Sequence, residues 1–465
     1  MLYHINLSIY PKEEDIVRIK HNSTLLKLAL MLVLLAGLAA CSGQVVQPTE
    51  GEPAASQEEA TPAQEGAAVE APAEDVTLTV WSWRPEDEDA YNEIFDVYEA
   101  ANPGVTIEFV AYVNTDYNNI LATGLTGKGG PDVPQVRSYG GIQPLVEAGQ
   151  LLPLDGEIDL ANFPAAALKS TSGLSDGKVY AVPTGVQAFT AYYNADIFDE
   201  LGLEEPQTWD EFIAVLDVLK AADYIPISTP AKDVWMLPLV QEAVGATRYG
   251  GPAFEADILS GAKDFNDPDY VASIQLVKDL QPYFPDDVNG VSYVDSKTLF
   301  LSGMAGIYLG GSFEVGFWRN EGPDMNLGAF PVPPAPDALV DTPLVPGWYD
   351  GSFGVNALSE HPEEAKEFVA WMATPEYGQL FTEKIKMMSA IPGMKPTDPL
   401  LQEFSDLFAE YPAAYMHLVD FRYGDPWGSN LMADGIAAML LGNMTAEEVA
   451  ASVQTGISQW FTPAQ

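Results

Sequence analysis

The sequence predicts an α/β protein in which mostly parallel sheets are flanked by helices. Three observations carry this. Short β-branched apolar runs alternate with stretches of helical period, the order that gives βαβ units and a parallel sheet. An apolar fraction of 47% with 11% aromatic residues is ample for a large core. About 390 residues follow an N-terminal signal-like segment and a polar stretch, enough for two to three domains.

In chain order, residues 1–40 read as an export signal. Arg18, Lys20 and Lys27 precede an apolar run from Leu28 to Ala40, which ends in the small residues Ala39 and Ala40. That run is too short to span a bilayer, which needs about 20 residues. Leu38-Ala39-Ala40-Cys41 resembles the bacterial lipobox, in which the cysteine is acylated and becomes the new N-terminus. Glu13, Glu14 and Asp15 are unusual so early in a signal, so translation is expected to start downstream, near Val17. Residues 42–75 contain no Lys, Arg or aromatic residue and read as a disordered acidic linker. As a flexible coil it would span on the order of 30 Å.

The first strand is expected at Val76–Trp81. The following stretch, Glu86 to Ala101, places Tyr91, Ile94, Phe95 and Tyr98 on one helical face. Asn102-Pro103-Gly104 stops that helix. A second strand, Val105–Val110, is followed by a helix over Tyr117–Leu125 and a strand at Val133. Thr208 and Glu211 form a capping box for a later helix, and Ser359 is the expected N-cap of a helix over Ala365–Met372. There is no internal repeat. Ligands bind at the carboxyl ends of strands in such sheets, which points to Ser82–Arg84, Ala111–Asn114 and Val136–Gly140.

Composition excludes several functions. Cys41 is the only cysteine, so the body holds no disulfide, thiolate metal site or cysteine nucleophile. A net charge of −46 argues against nucleic-acid binding, which depends on phosphate neutralisation by Lys and Arg. It also disfavours adsorption to anionic lipid. There is no HExxH, Gly-x-Ser-x-Gly, P-loop or Cys-x-x-Cys motif. His361 and His417 stand in isolated helical contexts. Asp264–Asp269 and Pro285–Gly290 lack EF-hand spacing and read as solvated turns rather than Ca²⁺ loops. No metal and no cofactor is expected.

Several phrases then occur in a telling order: Tyr98-Glu-Ala-Ala-Asn-Pro-Gly104, Gly130-Pro-Asp-Val133, Val146-Glu-Ala-Gly-Gln-Leu-Leu-Pro-Leu-Asp155, Asp176-Gly-Lys-Val-Tyr-Ala-Val-Pro183, Tyr193-Asn-Ala-Asp-Ile-Phe198, Thr208-Trp-Asp-Glu-Phe212, Phe300-Leu-Ser-Gly-Met-Ala-Gly306 and Pro362-Glu-Glu-Ala-Lys-Glu-Phe368. The series, over residues 76–465, resembles the extracellular solute-binding proteins of ABC importers, in the sugar-binding, maltose-binding-protein-like family. Most of these phrases are scaffold: stops, turns and caps.

The resemblance implies a two-lobed, periplasmic-binding-protein-like fold of class II type with the ligand cleft between lobes. Crossings are expected near Val186–Ala188, Gly328–Pro333 and Ala373–Tyr377. Lobe 1 would then be residues 76–187 with 329–377, and lobe 2 residues 188–328 with 378–465. A carbohydrate cleft should pair aromatic rings, for the C–H faces of a pyranose, with planar polar groups for its hydroxyls. Trp83 and Arg84 follow the first strand, with Trp81 read as core. Arg137 and Tyr139 follow the third strand, and Gln187 stands at the first crossing. Trp235 matches an aromatic contact region of the second lobe. Ser312 and Phe313 follow a strand, Phe313 where the family often has Trp. Trp348, Tyr349 and Asp350 follow a crossing. Trp427, before the late helix, suits cleft or core equally.

The resemblance thus implies a non-catalytic lipoprotein, anchored through Cys41 to the outer face of the cell membrane or on its periplasmic side. It would deliver a carbohydrate to the permease subunits of an ABC importer, and a monomer is the expected state. Two rivals stand beside it. A binding protein for a cationic solute such as a polyamine would need acidic walls, and Asp350 fits that. An exported glycoside hydrolase would need paired carboxylates, which are too abundant here to discriminate by counting.

Overall fold

A computed structural model describes residues 75–463. The signal segment, Cys41 and the linker up to residue 74 lie outside the described residues. The strands, numbered in chain order, fall into two sheets. The first holds β1 (Val76–Ser82), β2 (Val105–Ala111), β3 (Val133–Val136), β4 (Ala181–Val182) and β10 (Ser352–Gly354), in the order β2-β1-β3-β10-β4. The second holds β5 (Gly185–Asn194), β6 (Ile225–Ser228), β7 (Ala305–Gly311), β8 (Leu327–Phe330), β9 (Val345–Asp350), β11 (Met388–Ser389) and β12 (Pro412–Ala414). Its order is β12-β9-β5-β7-β6, with β8 and β11 also paired to β5.

The start of the chain forms as its pattern predicts. β1 alternates inward Leu78 and Val80 with less buried neighbours, and pairs in parallel with β2 and β3. The helix Glu88–Ala101 turns Tyr91, Ile94, Phe95 and Tyr98 onto the sheet. There Tyr91 stacks on Phe109 at 5.0 Å, and Phe95 meets Phe368 edge-on at 5.2 Å. Gly104, at φ +99°, makes the turn that only glycine adopts without strain. Thr208 and Glu211 do form the capping box of helix Trp209–Ala221.

Both sheets are mixed. Antiparallel pairing enters with β10 in the first and with β5 in the second. β5 is ten residues long and buried along nearly its whole length, as a central strand covered on both faces must be. It pairs with β9 and β11 through its first residues and with β7 and β8 through its last.

The chain passes between the sheets three times: from β4 to β5 at Pro183–Thr184, from β9 to β10 at Gly351, and from helix Pro375–Lys384 to β11. Two of these lie away from the expected positions. The Pro-rich stretch after Phe330 does not cross. Leu339 N–H donates to the Thr247 carbonyl at 2.9 Å, and Ala335 N–H to Thr247 Oγ1 at 3.0 Å, keeping the stretch on the second lobe. Helix Pro375–Lys384 in turn packs on helix Glu88–Ala101 of the first lobe. Residues 329–350 therefore stay with the second sheet, and helix Pro375–Lys384 lies between the first-lobe helix Glu88–Ala101 and β11. The expected range Val186–Ala188 already lies within β5. Ser359 is not an N-cap: its hydroxyl donates to Asp132 and accepts from His361 N–H, and the helix begins at Pro362. No helix among the described residues is long and apolar enough to cross a membrane.

Candidate functional site

A cavity of about 610 Å³ opens between the two lobes, within the range of small-molecule sites. The carboxyl ends of β1 and β3 and the turn after β2 deliver Trp83, Arg84, Asn114 and Arg137 to it. The second lobe contributes Gln187 from β5, Trp235, Tyr293, Lys297, Phe313, Trp348 from β9, Tyr415, Arg422 and Trp427.

The first-lobe wall is polar and braced. Arg84 Nε donates to Asp87 Oδ2 at 2.6 Å, Nη1 lies 3.2 Å from Glu86 Oε1, and Nη2 reaches across to the Phe313 carbonyl at 3.1 Å. Burial opposes the Arg84 charge, but Asp87 and Glu86 outweigh it and hold the guanidinium above its usual basicity. For Asp87 burial wins and pushes the carboxyl up despite Arg84. Ser82 Oγ donates to Gln135 Oε1 at 2.6 Å, fixing the amide at the cavity floor. Trp83 is 4% exposed; it packs on Tyr117 and carries the Arg137 guanidinium 3.8 Å above its ring.

The second-lobe wall is aromatic. Trp235 meets Tyr293 edge-on at 5.2 Å and Phe313 at 6.3 Å; Phe313 meets Trp348 at 6.2 Å, and Trp348 meets Tyr415 at 5.6 Å. This chain of rings is held from behind by Glu314, which accepts from the Tyr293 hydroxyl and from Tyr308 Oη at 3.3 Å. Lys297 Nζ lies 3.6 Å from Glu314, 4.3 Å from the Tyr293 ring centre and 3.8 Å from that of Phe317. Burial raises the Glu314 carboxyl, with Lys297 pulling the other way. The helix that carries Tyr293 and Lys297 starts with a capping box between Ser292 and Asp295. Trp348 Nε1 is buried without a hydrogen-bond partner.

Of the residues singled out in the sequence, the cavity gathers Trp83, Arg84, Arg137, Gln187, Trp235, Phe313, Trp348, Asp350 and Trp427. Three stand outside it. Tyr349 follows Trp348 on β9, where successive side chains point to opposite faces. Tyr139 sits at φ +57° with its ring in the core, its hydroxyl accepting from Tyr349 N–H at 3.1 Å. Ser312 lies behind the wall, donating to Gln187 Oε1 at 3.0 Å and accepting from Ala188 N–H. Tyr293, Lys297, Tyr415 and Arg422 were not anticipated. Arg422 had one signal, a rare cation five residues before Trp427 in a strongly acidic chain.

His417 is fully buried against Phe265 and Tyr270, and burial lowers its basicity to about 3. Asp267 caps helix Pro268–Asp279 and pairs with Lys263 at 3.1 Å. No group of three or more His, Cys, Asp or Glu among the described residues could hold a metal ion.

An α/β chain with two sheets, three passages between them and a lined cavity at their junction is a two-lobed binding protein. The chain belongs to the bacterial extracellular solute-binding protein family, whose model matches residues 82–379. It is 28% identical over 313 residues to an ABC transporter extracellular-binding protein, PH1039, of Pyrococcus horikoshii, covering 64% of this chain and 69% of that one. It is 24% identical over 345 residues to the multiple sugar-binding protein of Streptococcus mutans, covering 70% of this chain and 79% of that one. A solved structure concerned with xylan utilisation by the thermophilic bacterium Caldanaerobius polysaccharolyticus aligns with a TM-score of 0.70 at 23% identity. It covers 82% of this chain and 99% of that one, and the likeness bears on the fold.

Proposed function

We propose that this protein captures a carbohydrate outside the cytoplasm and hands it to the permease of an ABC importer, as a non-catalytic monomer tethered by lipid at Cys41. The observation that carries this is the pairing of walls: a chain of rings, Trp235, Phe313 and Trp348, faces a rank of planar polar groups, Arg84, Gln135 and Arg137. A pyranose needs both, rings for its C–H faces and hydrogen-bonding groups for its hydroxyls. The relative from Streptococcus mutans, named for sugars, supports the same class of ligand. Closure would bend the three passages at Thr184, Gly351 and Met387, a hinge motion around the ligand.

The rival readings have less support. A polyamine site needs an acidic wall, and the two carboxylates lining the cavity, Glu86 and Asp350, are outnumbered by Arg84, Arg137, Lys297 and Arg422. A hydrolase needs two available carboxyl groups, and Glu86 is already engaged by Arg84. A glycan and polyamine panel read by thermal shift, with a parallel assay for released reducing ends, tests this. Ligand binding raises the melting temperature by mass action. A shift with oligosaccharide and no product is expected; product release, or a shift with polyamine alone, would overturn the proposal.

A further inference from the structure

The cations of this chain are few and unevenly placed. It has 21 Lys and Arg against 67 Asp and Glu, yet four cations and two carboxylates line the cavity. Two of the four are accounted for within the walls: Arg84 by Asp87 and Glu86, Lys297 by Glu314. Arg137 and Arg422 are not. Neither has a carboxylate within ion-pair distance among the described residues.

Their settings mirror one another. Arg137, on the first lobe, lies over the ring of Trp83, donating from Nε to Asn118 Oδ1 at 3.4 Å and from Nη2 to Asn114 Oδ1 at 3.1 Å. Arg422, on the second lobe, lies 4.9 Å from the centre of the Trp427 ring and donates from Nε to Ser429 Oγ at 2.9 Å. A guanidinium has five N–H donors in a fixed fork, so most of the donors on each remain free. The backbones abut here: a Cβ on Gly140 would lie 1.8 Å from the Arg422 carbonyl oxygen. Both cations feel Asp350, and desolvation makes both less basic, Arg137 to about 10. Two half-buried guanidiniums thus share the field of one carboxylate. A neutral ligand closing the cleft would deepen their burial without adding a counter-charge, which is costly. An anionic group would supply the charge and match the planar forks.

We propose that Arg137 and Arg422 form a clamp, one arm from each lobe, for a carboxylate borne by the sugar, so that the preferred solute is an acidic carbohydrate such as a uronic-acid oligosaccharide. This rests on the cleft being a carbohydrate site. The overall negative charge does not forbid it, since repulsion beyond about 8–10 Å is screened at physiological salt whereas contacts in a cleft are not.

Calorimetry on the mature chain tests it with matched probes: trigalacturonate against galactotriose, glucuronate-capped against uncapped xylotriose, and a sulfated galactotriose. The acidic member of at least one carboxylate pair is expected to bind tenfold or more tightly than its neutral partner. Arg137→Gln and Arg422→Gln should each shrink that preference about tenfold, the lower end of the scale of a lost charge-assisted hydrogen bond. Arg422→Lys, which keeps the charge, should retain part of it, and keeps the test open if a Gln variant fails to fold. Equal or tighter binding of both neutral partners overturns the clamp while leaving carbohydrate capture intact. So does a preference that survives both Gln substitutions. Tightest binding of the sulfated probe would overturn the carboxylate assignment. No response to any probe, with a blank glycan panel, counts against both readings.

Discussion

The two walls of the cleft solve the same problem differently. The first-lobe wall is made at strand ends, where Arg84, Glu86 and Asp87 brace one another within four residues, and Trp83 and Gln135 are steadied from neighbouring elements by Arg137 and Ser82. The second-lobe wall is assembled from Trp235, Tyr293, Phe313, Trp348 and Tyr415, which come from five separate segments and hold together through ring contacts and one buried carboxylate. A locally built wall has redundant partners. A wall gathered from afar depends on its keystone. The first is suited to reading polar groups, and the second to supplying apolar area.

The largest effect should follow from removing that keystone. Glu314→Ala leaves Lys297 and two tyrosine hydroxyls buried without their partner and should cost about 3–5 kcal/mol in urea denaturation. Asp87→Asn is the counterpart in the first lobe. It should cost less, about 1–3 kcal/mol, because Arg84 keeps Glu86 and the Phe313 carbonyl. Equal losses would break the contrast.

The core of the second lobe should also carry a pH response. Glu242, buried in the second lobe and accepting from Tyr249, is pushed by desolvation up to about 8. Its native pKa exceeds the unfolded value near 4.5, so the native state binds the extra proton between those pH values. Stability should therefore fall as pH rises from about 4.5 to 8. Glu242→Gln removes this slope, so relative to wild type the variant should gain stability across that window. Melting temperatures at pH 5 and 8 check the sign, and a constant difference would count against it.

Trp235→Ala should weaken oligosaccharide binding by about 1–3 kcal/mol in calorimetry, as for a lost aromatic anchor. Trp235 is only partly buried, so the free protein should lose less stability than with Trp348→Ala, whose indole is 6% exposed. The smallest effect is expected at Ser292→Ala, which removes the cap of the helix carrying Tyr293 and Lys297 and should cost about 1 kcal/mol in chemical denaturation.

The same contrast explains what could be read from the sequence. The first wall was legible because strand ends follow from local pattern: β1 and β3 place Trp83, Arg84 and Arg137 directly. On β9 the segment was identified, but not its face. Trp348 and Asp350 point into the cleft and Tyr349 away, and a one-residue ambiguity decides which. Tyr293, Lys297 and Tyr415 reach the cavity only through tertiary packing, with no local mark to set them apart from core. The Pro-rich stretch after Phe330 has the composition of a connection between lobes. The bonds from Ala335 and Leu339 to Thr247 that keep it on one lobe span about 90 residues, beyond any local signal.

One ligand is expected to engage both walls at once. Hydrogen–deuterium exchange, with and without a saturating oligosaccharide identified by the glycan panel, tests it most directly. Added protection is expected together in the segments around Trp83–Asp87 and Arg137 and in those around Tyr293–Lys297 and Trp348, with changes also at Thr184 and Gly351. Protection confined to one lobe, or lying away from this cleft, would contradict it.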